Sequence, residues 1–437
     1  MSDTIVAPAT PGGRGGVSIG RLSGKKAADI GRKLCGDLEE PWKFKRCNIL
    51  DLDRVEIDSG LVVLFKSPKS YTGEDVLEIH CHGNPILINK IIGVSISCGA
   101  RMARPGEFTE RAFLNNKVDL AQAESVSDLI LAQSKEATKA ALSSLKGDFS
   151  VKINSTIDRL TLLRVHLEAS LDFPDEEIEE QAVSKMVVSL KKEVSLLSAL
   201  LESSERGSLL REGFKISIIG PPNSGKSTLL NLLSQEEASI VTNEPGTTRD
   251  PIKRVVNLLG YKVEFVDTAG LRTGIRGAVE KKGMEKALLE AQDSDIVLSI
   301  KEVGSLYKQG SFRGPQLNLI TKCDLDVEKR VGVVENNIYV SAKEGLGIEA
   351  LVAEIFLALN IKESSETPIF ARRRHVENLT ACLACFKVSL KGLENKEGLE
   401  LVSESLKEGQ FFLGEITRPV SSDDLLGEIF SHFCIGK

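Results

Sequence analysis

The strongest chemical signal lies between Gly220 and Ser227, where the sequence GPPNSGKS matches G-x-x-x-x-G-K-[ST]. The apolar run KISII precedes it and STLLNLLS follows, a strand–loop–helix context that is typical of a phosphate-binding P-loop. In such a loop the glycines let backbone N–H groups point at phosphate oxygens. We expect Lys226 to neutralise the β- and γ-phosphates and Ser227 to hold Mg²⁺. The remaining predicted GTP contacts of this segment are Asn223, Ser224, Gly225 and Thr228.

Two later motifs predict the segments that respond to the γ-phosphate. The sequence GTTRD at 246–250 supplies a switch threonine, Thr248, placed to close on Mg²⁺. The sequence DTAG at 267–270 ends the apolar run KVEFV. There Asp267 would support Mg²⁺, and Gly270 can offer its N–H to the γ-phosphate.

The group that orients the attacking water departs from the common pattern. Ras-like enzymes place a glutamine directly after the D-x-x-G glycine, but Leu271 stands there and cannot orient water. Another group must therefore do so. Glu280 is a candidate carboxylate, although its spacing alone favours a solvated charge on a helix.

Two further motifs predict a guanine pocket. The sequence TKCD follows the run LNLI, and SAK follows IYV. A carboxylate at 324 accepts two hydrogens from the edge of guanine and would be repelled by adenine. Thr321 replaces the asparagine of the usual N-K-x-D motif, and a hydroxyl supplies only part of an amide's hydrogen bonding. We therefore expect Thr321→Asn to tighten GDP binding in a calorimetric titration. The predicted base-binding residues are Thr321, Lys322, Asp324, Ser341, Ala342 and Lys343.

The composition is that of a globular protein with two or three domains. The chain has 437 residues, of which 41% are apolar and 27% charged, values that exclude a disordered, fibrous or membrane-embedded chain. The net charge of −6 does not suggest a strongly basic nucleic-acid binder. Eight scattered cysteines, no signal-peptide pattern and no 18-residue apolar run predict a cytoplasmic protein without a membrane span.

The chain falls into three kinds of sequence block. Residues 1–117 mix Gly and Pro with short apolar runs such as GLVVLF and DVLEIH, which indicates an α+β structure. Residues 118–212 show apolar residues at spacings of three and four, which predicts helices, with a break at Pro174. From Phe214 short apolar strands alternate with helix-length segments, which predicts a parallel sheet. After residue 359 the helical pattern returns, so we predict a helical domain with an α/β domain inserted into it.

Along its full length the sequence resembles the MnmE (TrmE) family of tRNA-modification GTPases. The resemblance rests on TIVAPATPGGRGG, SYTGEDVLEIHCHG, ARPGEFTERAFLNNKVDLAQAE, the P-loop and switch motifs, ARRRH, SSDDLLG and the terminal FCIGK. It implies a multidomain α+β and α/β fold. The implied domains are a tetrahydrofolate-binding and dimerisation domain (1–117), a split all-helical domain (118–212 and 372–437) and an inserted Ras-like P-loop G domain with a mostly parallel sheet (213–371).

The resemblance also implies a reaction. Members hydrolyse GTP and, with the flavoprotein MnmG, add aminomethyl or carboxymethylaminomethyl groups to C5 of the wobble uridine of certain tRNAs. The carbon comes from a tetrahydrofolate derivative (5,10-methylene- or 5-formyl-), and MnmG supplies FAD and uses NADH. The implied assembly is a homodimer that joins MnmG in a heterotetramer in the cytoplasm, with no membrane.

Several residue roles follow only from the resemblance. Glu280 matches the glutamate that positions the hydrolytic water, and Cys434 matches a cysteine needed for tRNA modification. K⁺ takes the place of an arginine finger, and G domains dimerise around it. The matching K⁺ ligands are Asn223, Thr242, Glu244 and Thr247, of which Thr242 and Thr247 are also predicted GTP contacts. The matching folate contacts are Arg21, Glu78, Lys117 and Lys437.

Two other functions compete with this interpretation. A switch GTPase of ribosome assembly would explain the nucleotide motifs but leaves residues 1–117 and FCIGK without a purpose. A folate-dependent aminomethyl-transferring enzyme would explain the N-terminal block but leaves the GTPase motifs unexplained. Nucleoside analysis of tRNA from a deletion strain separates the three.

Overall fold

The computed structural model describes residues 3–38, 40–172, 180–221, 223–235, 252–267, 294–305, 314–361, 367–395 and 398–418, together with 427, 429–431, 433 and 436. The chain divides into two compact units. The first comprises Met1–Leu131, Ser144–Val194 and Asn378–Lys437, and the second comprises Ala132–Ser143 and Ser195–Glu377. Among the helices within the described ranges, none is both long and apolar enough to cross a membrane.

The first unit begins with a six-stranded sheet. Its strands are β1 (Ile5–Pro8), β2 (Gly15–Ser23), β3 (Lys45–Leu50), β4 (Glu56–Phe65), β5 (Val76–Gly83) and β6 (Arg101–Met102). They lie in the order β3-β4-β5-β2-β1-β6, and all neighbours are antiparallel except β1 and β6. The strands predicted from GLVVLF and DVLEIH are β4 and β5, which confirms both.

Two helices pack with one face of this sheet. They are α1 (Ala27–Cys35) and α2 (Pro85–Ser97), which share a buried core with Leu22 and Ile79. Helix α2 begins where Asn84 accepts a hydrogen bond from the Ile86 N–H at 2.9 Å, with a proline at its first position. Because side chains alternate along a strand, the neighbours of Leu22 and Ile79 on the same strands belong to the opposite face.

Helix α3 (Glu107–Leu114) buries charged side chains as well as Phe108 and Ala112. Glu107 is 2% exposed, and its carboxylate accepts from Arg101 at 2.6 Å and from Arg111 at 3.1 Å. The Arg104 N–H donates to it as well, at 2.9 Å. Burial alone would raise the pKa of Glu107, but these donors outweigh it and lower the pKa to about 2.

We expect Glu107→Gln to destabilise the N-terminal sheet at neutral pH by roughly 2 kcal/mol, since it removes charge-assisted hydrogen bonds. The depressed pKa stabilises the folded state above the ordinary value of 4.5, and this stabilisation is lost as the pH falls toward 2. The free energy of unfolding of Glu107→Gln should therefore depend less on pH between about 2 and 4.5. Trp42, the one tryptophan of the chain, reports on this sheet by fluorescence.

Glu110→Gln is the matched control for that experiment. Glu110 lies on the same helix but pairs at 3.0 Å with Arg104, whose side chain is 63% exposed. An exposed pair of this kind contributes about 0–1 kcal/mol. Equal losses of stability in the two variants would contradict a special role for Glu107.

Four helices follow the first sheet: α4 (Leu120–Leu131), α5 (Lys135–Leu145), α6 (Asp148–Asp172) and α7 (Glu180–Glu212). Helices α6 and α7 are joined by Arg159, which donates to Glu193 at 2.5 Å. Glu193 is 1% exposed. Helix α6 is described as far as Asp172, and Pro174, where the sequence predicts a break, lies outside the described residues.

The second unit contains a seven-stranded sheet. Its strands are β7 (Phe214–Ile219), β8 (Ile252–Leu258), β9 (Tyr261–Asp267), β10 (Ile296–Glu302), β11 (Gln316–Thr321), β12 (Gly332–Val334) and β13 (Asn337–Val340). The order is β12-β13-β11-β10-β7-β9-β8, with a parallel centre and antiparallel β8 and β12. Strand β7 lies between β10 and β9, where the direction of winding reverses. This is the position at which α/β sheets bind ligands.

Four more helices complete the described fold. Helices α8 (Lys226–Gln235) and α9 (Ile348–Ala358) contribute to the core of the seven-stranded sheet. Helices α10 (Arg373–Glu394) and α11 (Leu399–Thr417) follow it in the sequence. In the first unit, Gln410 of α11 donates to Thr161 of α6 at 2.9 Å. A β-carbon at Gly409 would lie 2.9 Å from the Phe386 ring, so α10 and α11 pack closely.

Candidate nucleotide site and N-terminal ligand site

The P-loop connects β7 to α8 at the carboxyl end of the parallel strands. Asn223 has φ 64° and Gly225 has φ 84°, so the loop curls through left-handed conformations. Lys226 is 5% exposed, and its ammonium donates to the carbonyl oxygens of Gly220 at 2.8 Å and Pro221 at 2.6 Å. Negative charge beside a buried ammonium offsets the cost of its burial. The loop is therefore suited to receive an anion beside Lys226.

The other P-loop residues lie around this ammonium. Ser224 is fully buried, and its hydroxyl is 3.4 Å from the Lys226 nitrogen. Ser227 and Thr228 are exposed in the first turn of α8. Backbone N–H groups at the start of a helix attract phosphate, and a serine hydroxyl is a suitable oxygen ligand for Mg²⁺.

Thr321 links the base motif to the P-loop. Its hydroxyl is buried and donates to the Ser224 carbonyl oxygen at 2.7 Å, and it lies 3.2 Å from the Lys301 carbonyl oxygen. The hydroxyl thus provides a tether between β11 and the phosphate loop. The sequence indicated only what the threonine lacks relative to asparagine.

We expect Thr321→Val to weaken GDP binding by about 5- to 100-fold, because the Ser224 carbonyl would be left buried without its donor. Valine keeps the shape of threonine, so packing changes little. Isothermal titration of both proteins with GDP measures the effect. Thr321→Ser, which keeps the hydroxyl, should retain most of the affinity. Equal binding by Thr321→Val and the parent protein would contradict the tether.

The base-recognition carboxylate lies directly after β11. Asp324 is exposed, and the Ser341 hydroxyl donates to its Oδ1 at 2.6 Å. Lys322, whose φ is 59°, donates to Glu302 at 2.7 Å. Ser341 forms an antiparallel bridge with Leu346, which holds the loop that contains Ala342 and Lys343. The structure thus brings TKCD and SAK together, and the Asp324 carboxylate is available to accept hydrogens from a base.

The switch motifs are described only in part. Asp267 is the last residue of β9 and is in register with Ile218 of β7, two residues before Gly220. It therefore lies next to the strand that leads into the P-loop. Outside the described residues are Thr242, Glu244, Thr247, Thr248, Gly270 and Glu280.

A second polar site occupies the first sheet. Arg21 of β2 and Glu78 of β5 are paired in register, and the Arg21 Nε donates to Glu78 Oε1 at 2.9 Å. His80 lies 3.3 Å from the other carboxylate oxygen. Burial alone would raise the pKa of Glu78, but the His80 hydrogen bond and the Arg21 charge outweigh it, so the pKa is lowered. An ionised carboxylate beside a guanidinium can recognise donors and acceptors of a polar ligand.

Three residues around this pair, Tyr71, Thr109 and His80, were not predicted to belong to the site. The Arg21 guanidinium lies 5.7 Å from the Tyr71 ring centroid, and the Tyr71 hydroxyl is 2.8 Å from that of Thr109. His80 could have been found, since it follows Glu78 by two residues and shares its face. Tyr71 and Thr109 lie in other segments, and strand periodicity gave no signal for them.

The C-terminal segment reaches this site. Arg21 donates to the Gly436 carbonyl oxygen at 3.4 Å, across 415 positions of sequence. Gly436 has φ 97°, and a β-carbon there would lie 2.0 Å from the Pro8 carbonyl oxygen. Lys117 donates to the Pro68 carbonyl oxygen at 3.0 Å, in the loop that leads to Tyr71. Cys434 and Lys437 lie outside the described residues.

The P-loop after β7 and the acidic base motif after β11 define a P-loop GTPase class of protein. Comparisons with known proteins specify the family. The family model for the GTP-binding protein TrmE N-terminus matches residues 4–117, and that for the MnmE helical domain matches residues 120–434. The chain therefore belongs to the MnmE family of tRNA-modification GTPases, which confirms the predicted family, enzyme class and multidomain α+β and α/β fold.

Individual relatives match over the whole chain. The tRNA modification GTPase MnmE of Francisella tularensis subsp. holarctica (strain LVS) is 42% identical over 449 aligned positions, which cover 100% of this chain and 99% of that protein. MnmE of Coxiella burnetii (strain Dugway 5J108-111) is 40% identical, with the same coverage. Among solved structures, the G domain of the T. maritima FeoB iron transporter is 22% identical over 33% of this chain and 98% of its own, with a TM-score of 0.24.

Proposed function

We propose that this chain hydrolyses GTP within the enzyme that modifies C5 of the wobble uridine in certain tRNAs. The observation that carries the proposal is the coexistence of two sites in one chain. One is a P-loop with a buried lysine and an acidic base motif, and the other is the Arg21–Glu78 pair that the C-terminal segment reaches. A switch GTPase alone has no use for the second site.

At the nucleotide site, each residue has a separate role in GTP hydrolysis. Lys226 exchanges its carbonyl acceptors for β- and γ-phosphate oxygens, which offsets charge as the bond to the leaving group breaks. Ser227 holds Mg²⁺, with support from Thr248 and Asp267. Asp324 selects guanine, and Ser341 keeps its carboxylate oriented. Glu280 positions the attacking water.

K⁺ is part of the proposal for catalysis. Asn223 is exposed in the P-loop with a left-handed backbone, and its amide oxygen is a suitable ligand for a hard cation. Thr242, Glu244 and Thr247 would complete the ligation. K⁺ near the transferred phosphoryl group supplies the positive charge that an arginine finger supplies elsewhere. GTP turnover should be clearly faster in K⁺ than in Na⁺, and Asn223→Ala should remove the difference.

The N-terminal site is proposed to bind tetrahydrofolate. Glu78 presents acceptors to the amino groups of the pterin, and Arg21, Lys117 and Lys437 present donors to its carbonyl and carboxylate oxygens. The folate, when bound, supplies the one-carbon unit. Cys434 serves the modification step, so Cys434→Ser should abolish tRNA modification and leave GTP hydrolysis intact.

The proposed assembly follows the domain division into 1–117, 118–212, 213–371 and 372–437. The N-terminal domain forms a homodimer, and the dimer joins the flavoprotein MnmG, which contributes FAD and NADH chemistry. The assembly acts on tRNA in the cytoplasm. Because the chain carries a net charge of −6, much of the basic RNA-binding surface is assigned to the partner.

Binding of 5-formyltetrahydrofolate tests the proposal. We expect Arg21→Ala to weaken binding by about 10-fold or more, since it removes a charge-assisted hydrogen bond. Arg32→Ala is the control, because Arg32 is an exposed residue of α1, which packs on the opposite face of the sheet. Tight binding by Arg21→Ala, or no binding by the parent protein, would contradict the proposed site.

A further inference from the structure

The β8–β9 hairpin of the second unit extends away from the predicted nucleotide motifs. Its two strands are joined by seven register pairs, from Ile252↔Asp267 to Leu258↔Tyr261. The switch segment 242–251 precedes β8, and Asp267 ends β9. Both open ends of the hairpin therefore adjoin motifs assigned to the nucleotide, and its turn lies at the other end.

The turn touches helix α5. A β-carbon at Gly260 would lie 2.7 Å from Oε2 and 3.0 Å from Cγ of Glu136. Gly260 has φ 88°, which strongly favours glycine. The backbone of the turn therefore lies directly against the Glu136 side chain, in the first turn of α5.

The residues just after the turn lie beside the junction of α7 with β7. A β-carbon at Gly213 would be 2.2 Å from the Lys262 carbonyl oxygen, so the chain leaving α7 runs directly beside β9. The Tyr261 ring packs 5.2 Å from Phe356 and 6.3 Å from Phe214, between centroids. Burial raises the pKa of Tyr261, and the nearby charge of Arg206 on α7 offsets part of that rise. The hairpin thus contacts α5 at its turn and the junction of α7 with β7 just after the turn.

These two helices continue beyond the second unit. Residues 132–143 of the α5 region and residues from 195 of α7 belong with the sheet, whereas residues 144–194 belong to the first unit. A packed hairpin behaves as a rigid element, and rigid elements can transmit coupling between sites. A displacement at Asp267 would therefore reach the turn and the two helices.

We propose that the β8–β9 hairpin, with its turn seated against Glu136 of α5 and its next residues beside the junction of α7 with β7, transmits the state of the bound nucleotide to the helices. This inference rests on the proposed GTPase function and adds a route for its regulation. Coupling of this kind is reciprocal. The contact at Glu136 therefore also sets the relative affinities for GTP and GDP.

Hydrogen–deuterium exchange of the full chain tests the inference, with GDP and with a non-hydrolysable GTP analogue, each with Mg²⁺ and K⁺. In the parent protein, the rate of amide exchange in the peptide 132–145 should differ at least about fivefold between the GDP-bound and analogue-bound states. Fivefold is about the smallest effect that is typical of coupling between two sites. In Glu136→Ala the difference should fall below about twofold, while the variant still binds both nucleotides. Lys139→Ala, one turn further along α5, should keep the parent difference.

The outcomes separate the inference from the function on which it rests. If the analogue does not bind, both the proposed GTPase function and the proposed coupling fail. If it binds and the peptide 132–145 exchanges equally in both nucleotide states, the coupling is wrong and the GTPase function stands. Full retention of the difference in Glu136→Ala would also overturn the proposed contact.

Discussion

Replacing Lys226 by alanine is expected to lower kcat/KM for GTP hydrolysis by at least about a hundredfold, the cost of removing a preorganised donor to developing charge. The Lys226 ammonium is buried and held by two P-loop carbonyl oxygens. Steady-state phosphate release measures the effect.

Two further variants serve as controls for Lys226→Ala. Lys226→Arg keeps the charge but cannot occupy the same compact position, so it should recover little activity. Lys152→Ala, at an exposed site of α6, should behave as the parent protein. Turnover by Lys226→Ala within a few-fold of the parent rate would contradict the role assigned to this residue.

Asp324→Asn should change the preferred base from guanine to xanthine. The carboxylate accepts from two donors on guanine, whereas an amide places its own N–H₂ against one of them. We expect GTP affinity to fall about a hundredfold, the cost of lost hydrogen bonds to a charged group. Xanthosine triphosphate has a carbonyl where guanine has its amino group, so the variant should prefer it.

Competition binding with GTP, ATP and xanthosine triphosphate measures this change. The Ser341 hydroxyl orients the Asp324 carboxylate at 2.6 Å. For this reason Ser341→Ala should lower GTP affinity less and leave the order of preference unchanged. Unaltered GTP preference in Asp324→Asn would show that another residue reads the base.

Much of the second sheet could be predicted from sequence because its central strands are buried on both faces. The runs KISIIG, KVEFVD, DIVLSI and QLNLI are short, apolar and bounded by polar loops, and each corresponds to a strand. Edge strand β8 (IKRVVNL) mixes charge with apolar residues, and the sequence analysis assigned no strand to it.

The polar parts of the first unit were harder to predict. Helix α3 buries Glu107 and Arg111, which periodicity marks as surface residues, and their burial is explained by ion pairs with Arg101 and Glu74 outside the helix. The approach of Gly436 to Arg21 spans 415 positions and follows no local pattern. Thr321 shows a third kind of limit, because the partner of its hydroxyl is a backbone carbonyl that composition does not reveal.

In the proposed function, one chain couples GTP hydrolysis to tRNA modification. The most direct test of this proposal is mass-spectrometric analysis of tRNA nucleosides from a deletion strain that carries the parent gene, Lys226→Ala or no copy. We expect C5-modified wobble uridine with the parent gene only. Unchanged modification in the deletion strain would contradict the proposed function, and full modification with Lys226→Ala would contradict its dependence on GTP hydrolysis.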